Sequence, residues 1–215
     1  MQAYQREFIQ LAVDAKVLLF GEFTLKSGRV SPYFFNAGLF NTGATISAVA
    51  NAYAASIMAA RVDYDVLYGP AYKGIPLVAS LASALYNNHS VDKPWSFNRK
   101  EAKDHGEGGV IVGAPLGGGV LVVDDVVSAG TSVRESTDII TAAGARVAGV
   151  AIMLDRQERG TGDSSAVQEV EATLKVPVLS IVTLNEVIEF LSEDPARAEQ
   201  LDAVSAYRER YGVDN

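Results

Sequence analysis

Val122 to Arg134 runs VVDDVVSAGTSVR, and the five residues from Gly119 to Val123 that lead into it are GVLVV. The latter stretch is short, rich in β-branched residues and preceded by a glycine turn at Gly117 and Gly118, which predicts a strand buried on both faces. The strand ends in paired carboxylates, Asp124 and Asp125. A turn follows with Gly130 at its tip, and Thr131 and Ser132 open a helix predicted from Ser132 to Ala143, with Gly144 as its C′ residue. Glycine lets a backbone approach a ligand closely, and successive N–H groups at a helix N-terminus form an anion site. The hydroxyls of Ser128, Thr131 and Ser132 can add hydrogen bonds to a phosphate. Asp124 and Asp125 would repel that phosphate, so they suit sugar hydroxyls or a metal. Phosphate on one side and hydroxyls on the other describe a phosphorylated ribose. Ser132 and Glu135 also have capping-box spacing, and a strand ending in Asp before a helix is common in α/β proteins. Residue types alone leave both readings open.

Outward from this stretch, strand-like and helix-like segments alternate. Asp65 to Gly69 is a short apolar run followed by a buried helix over Gly74 to Tyr86. Trp95 to Asn98 and Val110 to Val112 are predicted strands flanking a polar, glycine-bearing loop. Val147 to Leu154 and Val178 to Val182 are further strands. A helix starts at Leu184, where Thr183 and Glu186 have capping-box spacing and Leu184, Val187, Ile188 and Leu191 share a face. The expected fold is α/β: a mostly parallel twisted sheet flanked by helices, with ligands at the carboxyl ends of its strands. Residues 1–41 are aromatic-rich and lack this rhythm, which predicts a small N-terminal hood. Residues 42–192 form the core and 193–215 a C-terminal helix, roughly Asp194 to Tyr211, all within one domain.

The chain has 215 residues, 48% hydrophobic and 20% charged, which suits one compact domain. It has no cysteine and two histidines, which excludes disulfides, thiolate metal sites and cysteine nucleophiles and disfavours a histidine-rich metal centre. His89 has no motif around it and is read as a surface loop residue. Any metal is expected to be a hard cation held by carboxylates and substrate oxygens, as Mg²⁺ usually is, with no protein ligand assigned and contact through substrate and water expected. A formal charge of −8 argues against a nucleic-acid partner. The N-terminus lacks the pattern of a signal peptide, and no apolar run is read as approaching the ~18 to 20 residues that span a bilayer. The expectation is a cytoplasmic protein with no membrane partner. Neither the GxxxxGK[ST] phosphate loop nor the GxGxxG dinucleotide fingerprint occurs.

VLVVDDVVSAGTS resembles the signature of the type I phosphoribosyltransferases, in which hydrophobic residues precede two acids and a TAGTS-like loop. Four more stretches narrow the resemblance to the orotate phosphoribosyltransferase branch. They are LKSGRVSPYFFN (Leu25 to Asn36), GPAYKGIPL (Gly69 to Leu77), FNRKEAKDHGEGG (Phe97 to Gly109) and DRQERG (Asp155 to Gly160). Five motifs in order, from about Phe20 to Leu191, are far more specific than the signature alone.

The resemblance implies a Mg²⁺-dependent transfer of ribose 5-phosphate from phosphoribosyl diphosphate to N1 of orotate, through an oxocarbenium-like transition state. It implies that Asp124 and Asp125 hold the ribose hydroxyls, and that the segment Val126, Val127, Ser128, Ala129, Gly130, Thr131 and Ser132 cradles the 5′-phosphate. Family members usually carry Thr where this chain has Ser128, which keeps the hydroxyl and loses a methyl. The turn holding Tyr72 and Lys73, with a cis bond before Tyr72, is implied to contact the diphosphate, as is Lys26. A lysine at a helix start is electrostatically mismatched unless an anion binds there. Arg99, Lys100, Lys103 and His105 would otherwise be a solvated charge run. The resemblance makes Arg99 to Gly109 a mobile catalytic lid that closes over the neighbouring subunit's site in a homodimer, bringing Lys103 and His105 to the departing pyrophosphate. Phe34 and Phe35, with Ser128, are implied to contact the orotate ring, and Arg156 its carboxylate. A surface ion pair of Arg156 with Asp155 or Glu158 is the plainer alternative. Two further functions compete: transfer to a purine or uracil, and a non-catalytic sensor of phosphoribosyl diphosphate. A bifunctional reading with an additional (β/α)₈ decarboxylase barrel of roughly 250 residues is not expected, since these 215 residues leave no room for one.

Overall fold

A computed structural model of the chain describes residues 1–25, 27–103, 109–127, 131–160 and 162–213, the side chains at 102 and 103 excepted. The strands are β1 (Leu18–Thr24), β2 (Val30–Phe35), β3 (Val66–Gly69), β4 (Trp95–Lys103), β5 (Gly109–Gly113), β6 (Gly119–Val123), β7 (Arg146–Asp155) and β8 (Val178–Thr183). The helices are α1 (Ala3–Asp14), α2 (Gly43–Ala60), α3 (Gly74–His89), α4 (Thr131–Ala142), α5 (Ala166–Leu174), α6 (Leu184–Ser192) and α7 (Ala198–Tyr211).

Six strands form one sheet in the order β5-β4-β3-β6-β7-β8. Every pairing is parallel except that of β4 with β5. The expected α/β architecture is therefore present. β6 lies near the middle and all five of its residues are buried. Its side chains divide by the two-residue period of a strand. Leu121 and Val123 join the larger apolar cluster with Leu67, Ala151 and Met153, while Val120 and Val122 join the smaller one with Val66, Tyr68, Val150 and Ile152. The first face is covered by α1, α2, α3 and α6, the second by α4 and α5. A strand buried on both faces needs an unbroken apolar run, which is why GVLVV is so legible.

The N-terminal hood is the antiparallel β1–β2 hairpin, a separate two-stranded sheet. Phe8, Ile9 and Ala12 of α1 are buried in the larger cluster. Tyr207 of α7 meets Tyr33 of β2 edge-on, with ring centroids 6.1 Å apart, so the C-terminal helix braces the hairpin.

Several boundaries differ from expectation. β4 runs on through Arg99, Lys100 and Glu101 to Lys103, whose partner is Gly109, so these charges lie on a strand rather than in a loop. The β4–β5 hairpin is at the sheet's edge, where one side meets water and charged residues cost little. His89 is the exposed last residue of α3, not a loop residue. The C-terminal segment opens with a 3₁₀ turn at Pro195–Arg197, capped by Asp194, before α7 begins. α2 and α5 have no counterpart in the predicted elements. α2 corrects the reading that no apolar run has spanning length: it has 18 residues and a mean hydropathy of 1.2. It is a core helix, burying Val49, Ala50, Ala52, Tyr53, Ala54, Ser56 and Ile57.

Candidate active site

The carboxyl ends of β3, β6 and β7 converge on one edge of the sheet. Beyond β6, Asp124 and Asp125 follow directly, both 7% exposed. Their backbone is pinned. Asp124 N–H donates to the Ala151 carbonyl at 3.0 Å, and the Asp125 carbonyl accepts from Met153 N–H at 2.8 Å. From α2 the Tyr53 hydroxyl, fully buried, donates to the Asp124 carbonyl at 2.6 Å. The carboxylates are as fully engaged. Asp124 accepts from Ser132 Oγ at 2.7 Å and from Asp125 N–H at 2.9 Å. Asp125 accepts from Val126 N–H at 3.0 Å and from Lys73 Nζ at 2.5 Å. Burial pushes the Asp124 carboxyl above the ordinary carboxylate value. The Asp125 charge pushes the same way, while Ser132, the Asp125 N–H and Lys73 pull back.

Ser132 therefore does not cap α4. It lies inside the first turn of a helix that begins at Thr131, and its hydroxyl goes to Asp124. That local bond decides against the capping-box alternative, since a cap hydroxyl would point to backbone N–H groups. Val126 and Val127 are half-buried, one packed on each apolar cluster.

Lys73 reaches the acids from the turn after β3. It is the N-cap residue of α3 and its side chain stays largely exposed. The peptide bond between Ala71 and Tyr72 is cis, and Tyr72 is 71% exposed. Two glycines close the turn. A Cβ on Gly74 would stand 2.6 Å from Pro70 Cδ and 2.7 Å from the Gly69 carbonyl carbon, and one on Gly69 would run into the Gly74 carbonyl. Asn98, buried on β4, accepts from Ala71 N–H at 2.8 Å. It is a support that the reading of FNRKEAK did not single out, although its burial in a charged run is the signal. The turn separates two recesses. One of about 440 Å³ is lined by Lys73, Leu77, Asp125 and Met153 facing Phe40 to Gly43. The other, about 220 Å³, is lined by Ala71, Asn98, Lys100, Thr131 and Ser132.

Arg99 is half-buried on β4 and Lys100 is exposed, with its ammonium 3.7 Å from Glu135, a surface pair of little energetic weight. Strand alternation sends Phe34 and Phe35 to opposite faces of β2: Phe34 is 39% exposed and stacks on Phe23, while Phe35 packs against the core. Arg156, just past β7, pairs with Glu158 through both Nε (2.8 Å) and Nη2 (2.6 Å) and sits over the Tyr33 ring at 4.5 Å. Its partner is thus Glu158, as the plainer alternative had it, though both are largely enclosed rather than on the surface. Glu158, to which the sequence attached no role, also accepts from Tyr33 and Tyr207. Lys26, the Lys103 side chain, His105, Ser128, Ala129 and Gly130 lie outside the described residues, as does the 104–108 stretch of the expected lid.

An acidic pair closing a central parallel strand, a helix opening on hydroxyls beside it and a cationic turn facing it define a protein that handles a phosphorylated sugar. Comparison with known proteins gives the class its name. The phosphoribosyl transferase domain matches residues 39–177. The orotate phosphoribosyltransferase of Pseudomonas putida strain F1 is 60% identical over 213 residues, 99% of this chain and 100% of the relative. That of Yersinia enterocolitica is also 60% identical over 213 residues, with the same coverage. The crystal structure of orotate phosphoribosyltransferase from Francisella tularensis superposes with a TM-score of 0.87 at 44% identity, covering 96% of this chain and 99% of that one. The chain belongs to the phosphoribosyltransferase family, in its orotate phosphoribosyltransferase branch.

Proposed function

We propose that the protein joins orotate to the ribose 5-phosphate of phosphoribosyl diphosphate, releasing pyrophosphate and forming orotidine 5′-phosphate. The observation that carries this reading is the Lys73–Asp125 contact. It brings the GPAYKG turn and the DD pair together across 52 positions of sequence, in a chain whose full-length relatives bear the name of that enzyme.

N1 of orotate displaces pyrophosphate at the anomeric carbon. Positive charge grows on the ribosyl group and negative charge on the leaving oxygen. Asp124 and Asp125 hold the ribose hydroxyls and offset the charge on the sugar. Lys73 then exchanges its bond to Asp125 for the diphosphate, joined by Arg99, Lys100 and the Tyr72 turn. Fixed charges aimed at a leaving group usually lower the barrier more than any other device in a site of this kind. Thr131 and Ser132 at the start of α4 receive the 5′-phosphate together with residues 126–130. Phe34 borders the flat base, with Phe35 contributing main chain, and Arg156 meets the orotate carboxylate as a guanidinium fork.

By family resemblance we assign the diphosphate also to Lys26, and leaving-group stabilisation to Lys103 and His105, carried on the 99–109 hairpin into the neighbouring subunit's site of a homodimer. Mg²⁺ suits the hard oxygen donors of Asp124 and Asp125. Among the described residues no cluster of three or more acidic or histidine side chains could hold a metal, which favours an ion held largely by substrate oxygens and water. When bound it would neutralise charge on the diphosphate. We place the reaction in the cytoplasm, where phosphorylated sugars are made and retained.

The test is consumption of orotate by purified protein, followed by ultraviolet absorbance, with phosphoribosyl diphosphate present or absent and Mg²⁺ present or chelated. Consumption that requires both additions, with uracil and adenine inert, is the expected result. Intact orotate beside turnover of another base, or binding of phosphoribosyl diphosphate without turnover, would overturn the assignment.

A further inference from the structure

Glu158 is a carboxylate with only 11% of its side chain exposed, held by three side chains from three parts of the chain. Arg156 takes one oxygen, Oε1, with both Nε and Nη2. Tyr33 of β2 donates its hydroxyl to the same Oε1 at 2.7 Å. The other oxygen, Oε2, accepts from the Tyr207 hydroxyl of α7 at 3.2 Å. A carboxylate gripped at one oxygen can still turn about its Cγ–Cδ bond. A donor at the second oxygen stops that rotation.

What Glu158 fixes is the plane of the Arg156 guanidinium. Because the Nε–Nη2 edge of that planar group is committed to Glu158, its Nη1–Nη2 edge is the one left for a ligand carboxylate, which would displace the long 3.4 Å contact of Nη2 with the buried Ser31 hydroxyl. The face of the guanidinium rests on the Tyr33 ring, and Tyr33 in turn meets Tyr207 edge-on at 6.1 Å. Tyr207 thus touches two of the supports of Arg156, one through its hydroxyl and one through its ring. The place of α7 does not depend on that hydroxyl. Its C-terminal end is tied to the segment around Glu158 by main-chain bonds, Arg159 N–H to the Tyr211 carbonyl and Val213 N–H to the Gln157 carbonyl, each at 2.9 Å. Arg29 adds a brace, stacking on Tyr211 at 5.0 Å and donating to the Arg159 and Gly160 carbonyls.

We propose that Tyr207 is a positioning residue for base recognition: through Glu158 it sets the angle at which Arg156 presents its guanidinium to the orotate carboxylate. The proposal rests on the assignment of Arg156 made above and gives the C-terminal helix a part in substrate choice.

The experiment is steady-state kinetics on the full-length enzyme with Tyr207→Phe, Arg156→Lys and the double variant, varying orotate and phosphoribosyl diphosphate separately. Tyr207→Phe keeps the ring and should raise the orotate KM about five- to tenfold, the scale of one ordinary lost hydrogen bond, since the contact acts on the ligand through two intermediaries. Its kcat and its KM for phosphoribosyl diphosphate should stay within twofold. In the Arg156→Lys background the same change should add nothing, because the fork it positions is gone. Glu158→Gln, which keeps the shape of the relay, should reproduce the selective rise in orotate KM. An unchanged orotate KM in Tyr207→Phe would overturn the proposal, and so would an equal rise in the Arg156→Lys background. A lower kcat with both KM values raised in parallel and a lowered Tm would reduce Tyr207 to a packing residue. Should Arg156→Lys itself leave the orotate KM unchanged, the assignment of Arg156 would fall, a result distinct from the other three.

Discussion

Replacing Gly74 by Ala asks whether the GPAYKG turn has any freedom to move. The added Cβ would stand 2.6 Å from Pro70 Cδ, 2.7 Å from the Gly69 carbonyl carbon and 2.9 Å from Gly69 Cα. None of these is the end of a flexible side chain; they are a proline ring and backbone. Ordinary contact begins near 3.4 Å, so the turn must open by about 1 Å, and Lys73, the adjoining residue, moves with it. A displacement of that size removes the 2.5 Å bond from Lys73 Nζ to Asp125, and misplacements of ~1 Å in a positioning element can cost ~100-fold in rate. Overpacking itself costs about 1–3 kcal/mol. At about 2–4 °C per kcal/mol for a chain of this length, Tm should fall by about 2–12 °C. The assay is orotate consumption at saturating orotate with phosphoribosyl diphosphate varied, beside a thermal melt. kcat/KM for phosphoribosyl diphosphate should drop about 100-fold while the protein remains folded at 25 °C. Gly117, where a Cβ would meet nothing within 4 Å, supplies the control: Gly117→Ala should leave both quantities unchanged. A Gly74→Ala enzyme whose kcat/KM stays within threefold of the parent, with the expected loss of Tm, would show that the turn's geometry is irrelevant to the diphosphate.

Asp124→Asn should abolish turnover yet stabilise the protein, since the amide can keep both hydrogen bonds without a buried charge. Because burial raises the folded-state pKa of Asp124, the charge is a liability only above that pKa. The Tm advantage of the variant should grow as pH rises through it and vanish toward pH 3.8, the group's ordinary value; an advantage equal at all pH values would contradict this. Tyr53→Phe leaves the Asp124 carbonyl without its hydroxyl donor and should cost about 1–3 kcal/mol in denaturant unfolding, with reduced kcat. A change below 0.5 kcal/mol, roughly the lower limit for such a bond, would mean that the carbonyl finds another donor. Chelation of Mg²⁺ should stop turnover and Mg²⁺ should restore it, while the melting curve of the ligand-free protein stays where it was, as no protein-only cage is formed among the described residues.

The parts of the fold that could be read from sequence are those whose local chemistry and tertiary setting agree. GVLVV is buried on both faces and looks it, and Thr183 with Glu186 forms the capping box that their spacing promised. α2 escapes such a reading because its alanines, glycine and serines pack on several neighbours at once, which leaves no apolar stripe of helical period. The charged end of β4 reads as loop because residues there are polar in succession, as an edge hairpin permits. In the site, contiguous groups are legible and assembled ones are not. Asp124, Asp125 and Ser132 stand out in one short run, although a reading that gives the serine to phosphate and turns the acids away from it does not anticipate the bond from Ser132 to Asp124. Glu158 acquires its meaning from Tyr33, 125 positions away, and Tyr207, 49 away, and nothing in DRQERG hints at either. The separation of Phe34 from Phe35, in contrast, follows from strand alternation and could have been anticipated.

Three features that break local rules fall together at the carboxyl ends of the strands. Asp124 is an acid buried against its own pKa. Lys73 puts a cation at a helix N-terminus, where the dipole disfavours it. Gly69 and Gly74 give up side chains so that two backbones can touch. Any one of these could be structural accident in a chain this size. Their convergence is not easily explained by stability, since replacing the buried acid with an amide would remove a charge at no loss of hydrogen bonds. It is explained by a ligand that is itself divided, with hydroxyls for the acids and phosphates for the lysine and the helix end. The Lys73–Asp125 bond then has a function before substrate arrives: each charge neutralises the other until the ligand supplies both with a better partner.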